Sequence, residues 1–190
     1  MDDEKDDAGQ TPSLLATVLA NGPAVLGAKW YLRKATSVGS RVRVFGRPFV
    51  ENAGTLIIGD RVRLISTIAT IEIAVGAGGR LEIGERTYVN YGTSIGATKL
   101  VTIGPRCNIG SHVMMIDNDF HSLEPERRNE LPPSMPIVLE ENVWLGSRVI
   151  VLRGVTIGAD SVIGAGSVVV SDVPPRSVAV GVPARVVRSL

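Results

Sequence analysis

The sequence predicts an all-β fold, a parallel β-helix carrying short helices at its amino-terminal end and one long excursion loop. Two observations predict it. An aliphatic residue recurs every six positions from Leu139 onward, at Leu139, Leu145, Val151, Ile157, Ile163 and Val169. Four places after each stands a second small or apolar residue: Val143, Val149, Val155, Ser161, Ser167 and Val173. A period of six returns apolar side chains to no single face of an α-helix. The composition agrees, because aromatics are only 4% of the 190 residues while Gly reaches 21. Many short strands joined by tight turns need that mixture, and a helical bundle would tolerate far fewer glycines.

Three segments follow in order. Residues 1–12 contain the acidic run Asp2-Asp3-Glu4-Lys5-Asp6-Asp7 and read as a disordered tail. Residues 13–38 read as two short helices, about 13–20 and 23–35, divided by Asn21-Gly22-Pro23. The apolar stretch there is interrupted well short of a membrane span, and it lacks the basic start of a signal peptide. A flat contact of these helices with lipid is the one membrane role left open. Residues 39–190 form the β-helix and its carboxyl-terminal tail.

Each six reads as a three-residue strand plus a three-residue corner. Val143-Trp144-Leu145 alternates in, out, in, as a strand must, and the sixes after it do the same. Gly146-Ser147-Arg148 and Gly158-Ala159-Asp160 are corners, where glycine is expected to take backbone angles that other residues resist. Upstream, Ile83, Val89 and Ile95 keep the spacing, as do Ile103, Ile109 and Met115, with two extra residues near Lys99-Leu100. Val44, Val50, Ile58 and Leu64 are earlier rungs with one slip. From Met115 to Leu139 the distance is again a multiple of six, so a single excursion, about 116–138, leaves the prism and returns in register. A long loop on a compact solenoid is a functional candidate.

Charge and cysteine content exclude several functions. The net charge of +1 comes with no basic run that would mark a nucleic-acid partner. Cys107 is alone, which excludes an intrachain disulfide and suits a reducing, cytoplasmic compartment; its spacing puts it in an inward slot. Two histidines, His112 and His121, and one cysteine do not make a zinc cluster, and no metal is expected. His112 falls in a corner and reads as structural. His121 lies in the excursion, and imidazole is the side chain best suited to take a proton near neutral pH. Asp117 and Asp119 flank it as turn-formers or as partners of the imidazole.

The stretch Asn142 to Arg188 carries Asn-Val-Trp-Leu-Gly-Ser, Gly-Val-Thr-Ile-Gly, Ser-Val-Ile-Gly-Ala-Gly-Ser and Gly-Val-Pro-Ala-Arg-Val. It resembles the hexapeptide-repeat acyltransferases, and within them the galactoside and maltose O-acetyltransferase group and its polysaccharide-modifying relatives. The resemblance covers roughly 40–188. It implies a left-handed β-helix, a homotrimer with sites between subunits, and acetyl-CoA as cosubstrate. His121 matches the family's general base. Asn90, Asp119 and Arg127 match or lie near positions on the acceptor. Trp144, Ser147, Gly164, Ala165, Arg185 and Arg188 match or border the coenzyme A site.

The function implied is acetyl transfer to a hydroxyl of a sugar, a polysaccharide unit or another small hydroxylated metabolite. The alternatives are N-acetylation of a nucleotide-linked amino sugar and a non-catalytic β-helix scaffold. The sequence departs from the group in places. Gly96-Ala97-Thr98 stands where sugar-specific relatives carry acidic residues, Val170-Ser171 replaces a usual Thr-Lys, and the loop before His121 is one residue longer. The amino-terminal helices do not resemble the group's acceptor-contacting segment. These departures point away from a simple galactoside or maltose acceptor.

Overall fold

A computed structural model describes the backbone of residues 14–190 and the side chains of 22–190. The acidic tail of 1–12 lies outside the described residues. From Ser37 the chain winds into a left-handed β-helix of about seven coils with three parallel faces. The first face stacks strands Ser37–Val38, Thr55–Ile58, Arg80–Ile83, Leu100–Ile103, Ile137–Leu139 and Thr156–Ile157. The second stacks Arg43–Gly46, Arg63–Ser66, Tyr88–Val89, Asn108–Ile109, Trp144–Leu145, Val162–Ile163 and Ser177–Gly181. Ala184–Ser189 folds back antiparallel on the last of these. The third stacks Phe49–Asn52, Glu72–Val75, Ser94–Ala97, Met114–Ile116, Ile150–Val151 and Val168–Val169.

The six-residue rhythm is what packs. Every aliphatic of the series from Ile83 to Val169 named above is buried, as are Val44, Val50, Ile58 and Leu64. Burial of each such side chain is worth about 1.5–3 kcal/mol, and the ladder repeats it coil after coil. The second inward slot takes small polar residues in places, and their hydroxyls are satisfied. Thr87 donates to the carbonyl of Gly104 at 2.8 Å, Ser161 to that of Pro174 at 2.9 Å, and Ser167 to that of Gly164 at 2.7 Å. Cys107 fills another such slot, its Sγ 3.1 Å from the carbonyl of Glu140, and burial raises its pKa to about 11. It is a core residue.

Two expectations are corrected. The amino-terminal segment is one helix, Leu14–Tyr31, which runs through Pro23. Proline removes one N–H from the helical ladder, yet the residues after it form helix readily and Ala24, Ala28 and Leu32 form a buried i, i+4 face. Ala28 and Leu32 join the prism core, so the helix closes the open end of the solenoid, and tertiary packing overrides the local break. No helix among the described residues is long and apolar enough to cross a membrane.

The second correction concerns the corners. Gly146 and Gly158 do not hold the left-handed backbone angle, which falls two residues later on Arg148 (φ 60°) and Asp160 (φ 60°). These glycines are needed for close approach instead. A Cβ on Gly158 would lie 2.3 Å from the backbone nitrogen of Pro175 in the next coil, and one on Gly146 would lie 2.6 Å from that of Ala165.

Candidate active site

On the outer surface of the second face two columns of residues run side by side. One is Tyr88, Asn108, Trp144 and Val162, joined as register neighbours. The other is Asn90, Gly110, Gly146 and Gly164, each the first corner residue of its coil and each donating its N–H to the coil above, at 2.8–3.0 Å. A column of three glycines ending on Asn90, beside a column with larger side chains, makes a trough. The resulting groove, about 630 Å3, is lined among others by Tyr88, Asn90, Gly110, Trp144, Val162 and the terminal Leu190. Trp144 leaves 55% of its surface open on this wall. An indole so exposed has room for a flat or flexible ligand to lie against it.

Asn90 enters the groove with its functions already sorted. Its Oδ1 accepts the N–H of Tyr91 at 2.9 Å, which leaves the amide NH2 as the donor side of the group. Ser147 is exposed at the next corner, and its Oγ accepts a hydrogen bond from Ser111 at 3.1 Å. Gly164 and Ala165 form the corner above it. A Cβ on Gly164 would meet Val180 Cγ1 at 2.6 Å. Arg185 and Arg188 both lie exposed on the returning strand, where Arg188 is the register partner of Val178. Arg185 also donates to its own neighbour, the carbonyl of Ala184, at 2.8 Å.

The excursion leaves the third face after Ile116 and rejoins the first face at Ile137, in register as the spacing predicts. Its base is anchored by Asp117, which is fully buried. One carboxylate oxygen accepts the N–H and hydroxyl of Thr98 at 2.8 and 2.7 Å, and the other accepts the N–H groups of Lys99 and Leu100, both at 2.7 Å. Asn118, also buried, donates to the carbonyl of Pro132 and to Ser134 Oγ, which ties the two arms of the loop together. Asp119 forms an ion pair with Arg153. Arg127 is engaged by Glu130 at 2.6 Å within the loop.

His121 is exposed on this anchored loop, and its Nδ1 lies 3.0 Å from the carbonyl oxygen of Arg128. A carbonyl only accepts, so Nδ1 carries the hydrogen. In the neutral ring Nε2 then holds the lone pair. The orienting partner is a backbone carbonyl, and neither Asp117 nor Asp119, for which the sequence left turn-forming and imidazole-pairing roles open, is hydrogen-bonded to the ring. His112 is different. It takes a left-handed angle (φ 56°), packs edge-on against Tyr91 with ring centroids 5.5 Å apart, and lies under Gly92.

One chain brings Asn90, Gly110 and Trp144 into one groove, and His121 is not among the residues lining it. Sequence reasoning missed the anchoring roles of Asn118 and Ser134, which depend on contacts 14–36 positions apart.

The solenoid with its trough is the architecture of a left-handed β-helix, and part of the chain is similar to hexapeptide-repeat transferases. Residues 136–171 match the family described as bacterial transferase hexapeptide (six repeats). Galactoside O-acetyltransferase from Escherichia coli is 42% identical over 113 residues, 60% of this chain and 56% of that protein. The chain thus spans just over half the length of the curated relatives it matches. Among solved structures, a hexapeptide-repeat acetyltransferase from Vibrio cholerae in complex with acetyl coenzyme A superposes with a TM-score of 0.61 at 26% identity, covering 98% of this chain and 93% of that one. A galactoside acetyltransferase in complex with coenzyme A gives 0.56 at 27% identity, covering 94% and 92%.

Proposed function

We propose that this protein is an acetyl-CoA-dependent O-acetyltransferase that acts on a hydroxyl of a sugar, a polysaccharide unit or another small hydroxylated metabolite. The observation that carries the reading is the 3.0 Å contact of His121 Nδ1 with the Arg128 carbonyl, which favours the tautomer with its lone pair on Nε2. In the step that follows, Nε2 takes the proton of the acceptor hydroxyl as its oxygen attacks the thioester carbonyl. The tetrahedral intermediate collapses, the C–S bond breaks, and the departing thiolate takes the proton back from the imidazolium. The products are an acetyl ester and free coenzyme A. The thioester needs little activation, so positioning and the base supply most of the effect.

Similarity to proteins solved with acetyl coenzyme A or coenzyme A supports the donor. In this reading the donor lies along the trough against Trp144 and Ser147, with the corner of Gly164 and Ala165 close by and Arg185 and Arg188 toward its phosphates. Asn90 offers its NH2 at the opposite end, where the acceptor meets the thioester. Asp119 and Arg127 stand on the loop that faces the acceptor. The protein works in the cytoplasm and needs no metal. A thiol-release assay with acetyl-CoA and a panel of hydroxylated and amino sugars tests the reading. Transfer to amino sugars alone would replace it with N-acetylation, and no turnover on any acceptor would favour a scaffold.

Two expected results belong here. The first is assembly as a homotrimer, because Trp144, Ile150, Val162 and Val168 put apolar groups on the outer faces and His121 stands apart from the groove of its own chain. Sedimentation at micromolar concentration should give three chain masses; a single-chain mass would remove the shared site. The second concerns the donor. Trp144→Ala and Arg185→Ala should each weaken acetyl-CoA binding about 10-fold or more. The Arg185 effect should shrink for a donor lacking the 3′-phosphate, and equal losses for both donors would mean the guanidinium meets no phosphate.

A further inference from the structure

The amino-terminal helix is apolar on two sides. Ala24, Ala28 and Leu32 follow at intervals of four and are buried, the last two in the prism core. Leu26 and Trp30 make a second pair with the same spacing, displaced by two residues. Two residues turn a helix by about 200°, so this pair lies opposite the buried face. Leu26 keeps 74% of its surface exposed and Trp30 67%. Together they form a patch rather than a scatter of single exposed side chains.

Two cations flank the patch. Lys29 and Arg33 are both exposed. The Arg33 guanidinium lies over the Trp30 ring, 4.8 Å from its centroid, and its Nη1 donates to the Trp30 carbonyl at 3.0 Å. A ring and a carbonyl orient a charge without cancelling it. Residues 22–66 contain two acids, Glu51 and Asp60, and both belong to the prism. Asp60 accepts the N–H of Ser40 at 2.7 Å, and Glu51 lines a hollow with Lys34. From Gly22 to its end the helix itself carries no acid.

We propose that this outer face docks the protein reversibly on an anionic phospholipid surface. An aliphatic side chain and an indole enter the acyl boundary, while the cations stay among the headgroups. Tryptophan suits that boundary because its ring is apolar and its N–H polar. No helix among the described residues is long and apolar enough to cross a bilayer, so the contact is one of surface. Two other occupants fit less well. A stable contact between two proteins buries about 1,200 Å2 or more, which one leucine and one tryptophan from each side do not supply. The run Asp2-Asp3-Glu4-Lys5-Asp6-Asp7 matches the cations but has no apolar side chain to set against Leu26 and Trp30. In the homotrimer proposed above, rotation about one axis turns three such faces the same way, and three weak contacts act as one stronger one.

The whole chain is mixed with vesicles of phosphatidylcholine, alone or with about 30% phosphatidylglycerol, and flotation measures the bound fraction. Binding to the mixed vesicles should be at least about 10-fold tighter, and about 0.5 M salt should remove most of that difference. Trp30→Glu and Leu26→Glu should each weaken it about 10-fold or more, since a carboxylate replaces an apolar group at a negative surface. Lys29→Glu combined with Arg33→Glu should abolish the preference for the mixed vesicles. Melting temperatures should stay near wild type, because these side chains are exposed. No binding to the mixed vesicles overturns the proposal, as does binding that survives both single substitutions. A fall in oligomer mass with Trp30→Glu also overturns it, by showing a second copy on this face. Vesicle binding is read without acetyl transfer, so failure of either leaves the other standing.

Discussion

Replacing His121 with alanine should lower turnover by about 10²–10⁴-fold, the range a positioned general base contributes. The asparagine variant makes the test sharper. Its side-chain NH2 can keep the hydrogen bond to the Arg128 carbonyl that the imidazole makes at 3.0 Å, so the loop keeps its shape. It has no basic nitrogen to put where Nε2 stands. Both variants should therefore fail alike, with acetyl-CoA affinity and oligomer mass unchanged, because the histidine serves the acceptor. His112→Ala should stay near wild-type turnover, since that ring packs on Tyr91 under the Gly92 corner. Wild-type rates from His121→Asn would mean that the loop positions the acceptor without removing its proton.

The largest stability effect should come from Asp117. Its carboxylate is fully buried and accepts four hydrogen bonds from Thr98, Lys99 and Leu100, at the corner of the preceding coil. Removing it leaves three backbone N–H groups without their acceptor, a loss of about 3–4 kcal/mol. At fixed protein concentration the melting temperature should fall by roughly 10 °C. Asp117→Asn keeps the shape but turns a donor toward donors, so it should be nearly as damaging. Asp119→Ala is the control. Its ion pair with Arg153 is half-exposed and should change stability by less than about 1 kcal/mol. Equal melting temperatures for the two alanine variants would show that the excursion is not anchored through Asp117.

The contrast between these two aspartates shows how much of the site could be read in advance. Both stand in one short acidic segment, and both were candidates to cap a turn or orient His121. Which of them anchors the loop depends on the length of the previous coil. Two extra residues near Lys99 bring the N–H groups of 98–100 under Asp117, 17–19 positions later. The orienting carbonyl of Arg128 was equally hidden, since seven residues of loop had to fold back to bring it to the ring. Tyr88 and Arg63 are 25 positions apart and become neighbours only through the register of their coils.

What the sequence determined by itself was everything that follows from a short period. Inward and outward alternate with every residue of a strand, so the pattern alone assigns directions to Val143, Trp144 and Leu145. The same rule placed Cys107 in the core and brought the excursion back in register. The tertiary structure alone decided which residues meet across coils of unequal length. It carried the amino-terminal helix through Pro23, because Ala24, Ala28 and Leu32 gain more from covering the core than one lost helical hydrogen bond costs. It also moved the left-handed angle from the corner glycines to Arg148 and Asp160. The glycines are held instead by the backbone of the next coil, 2.3–2.6 Å from where their Cβ atoms would stand, and that distance exists only once the coils have stacked.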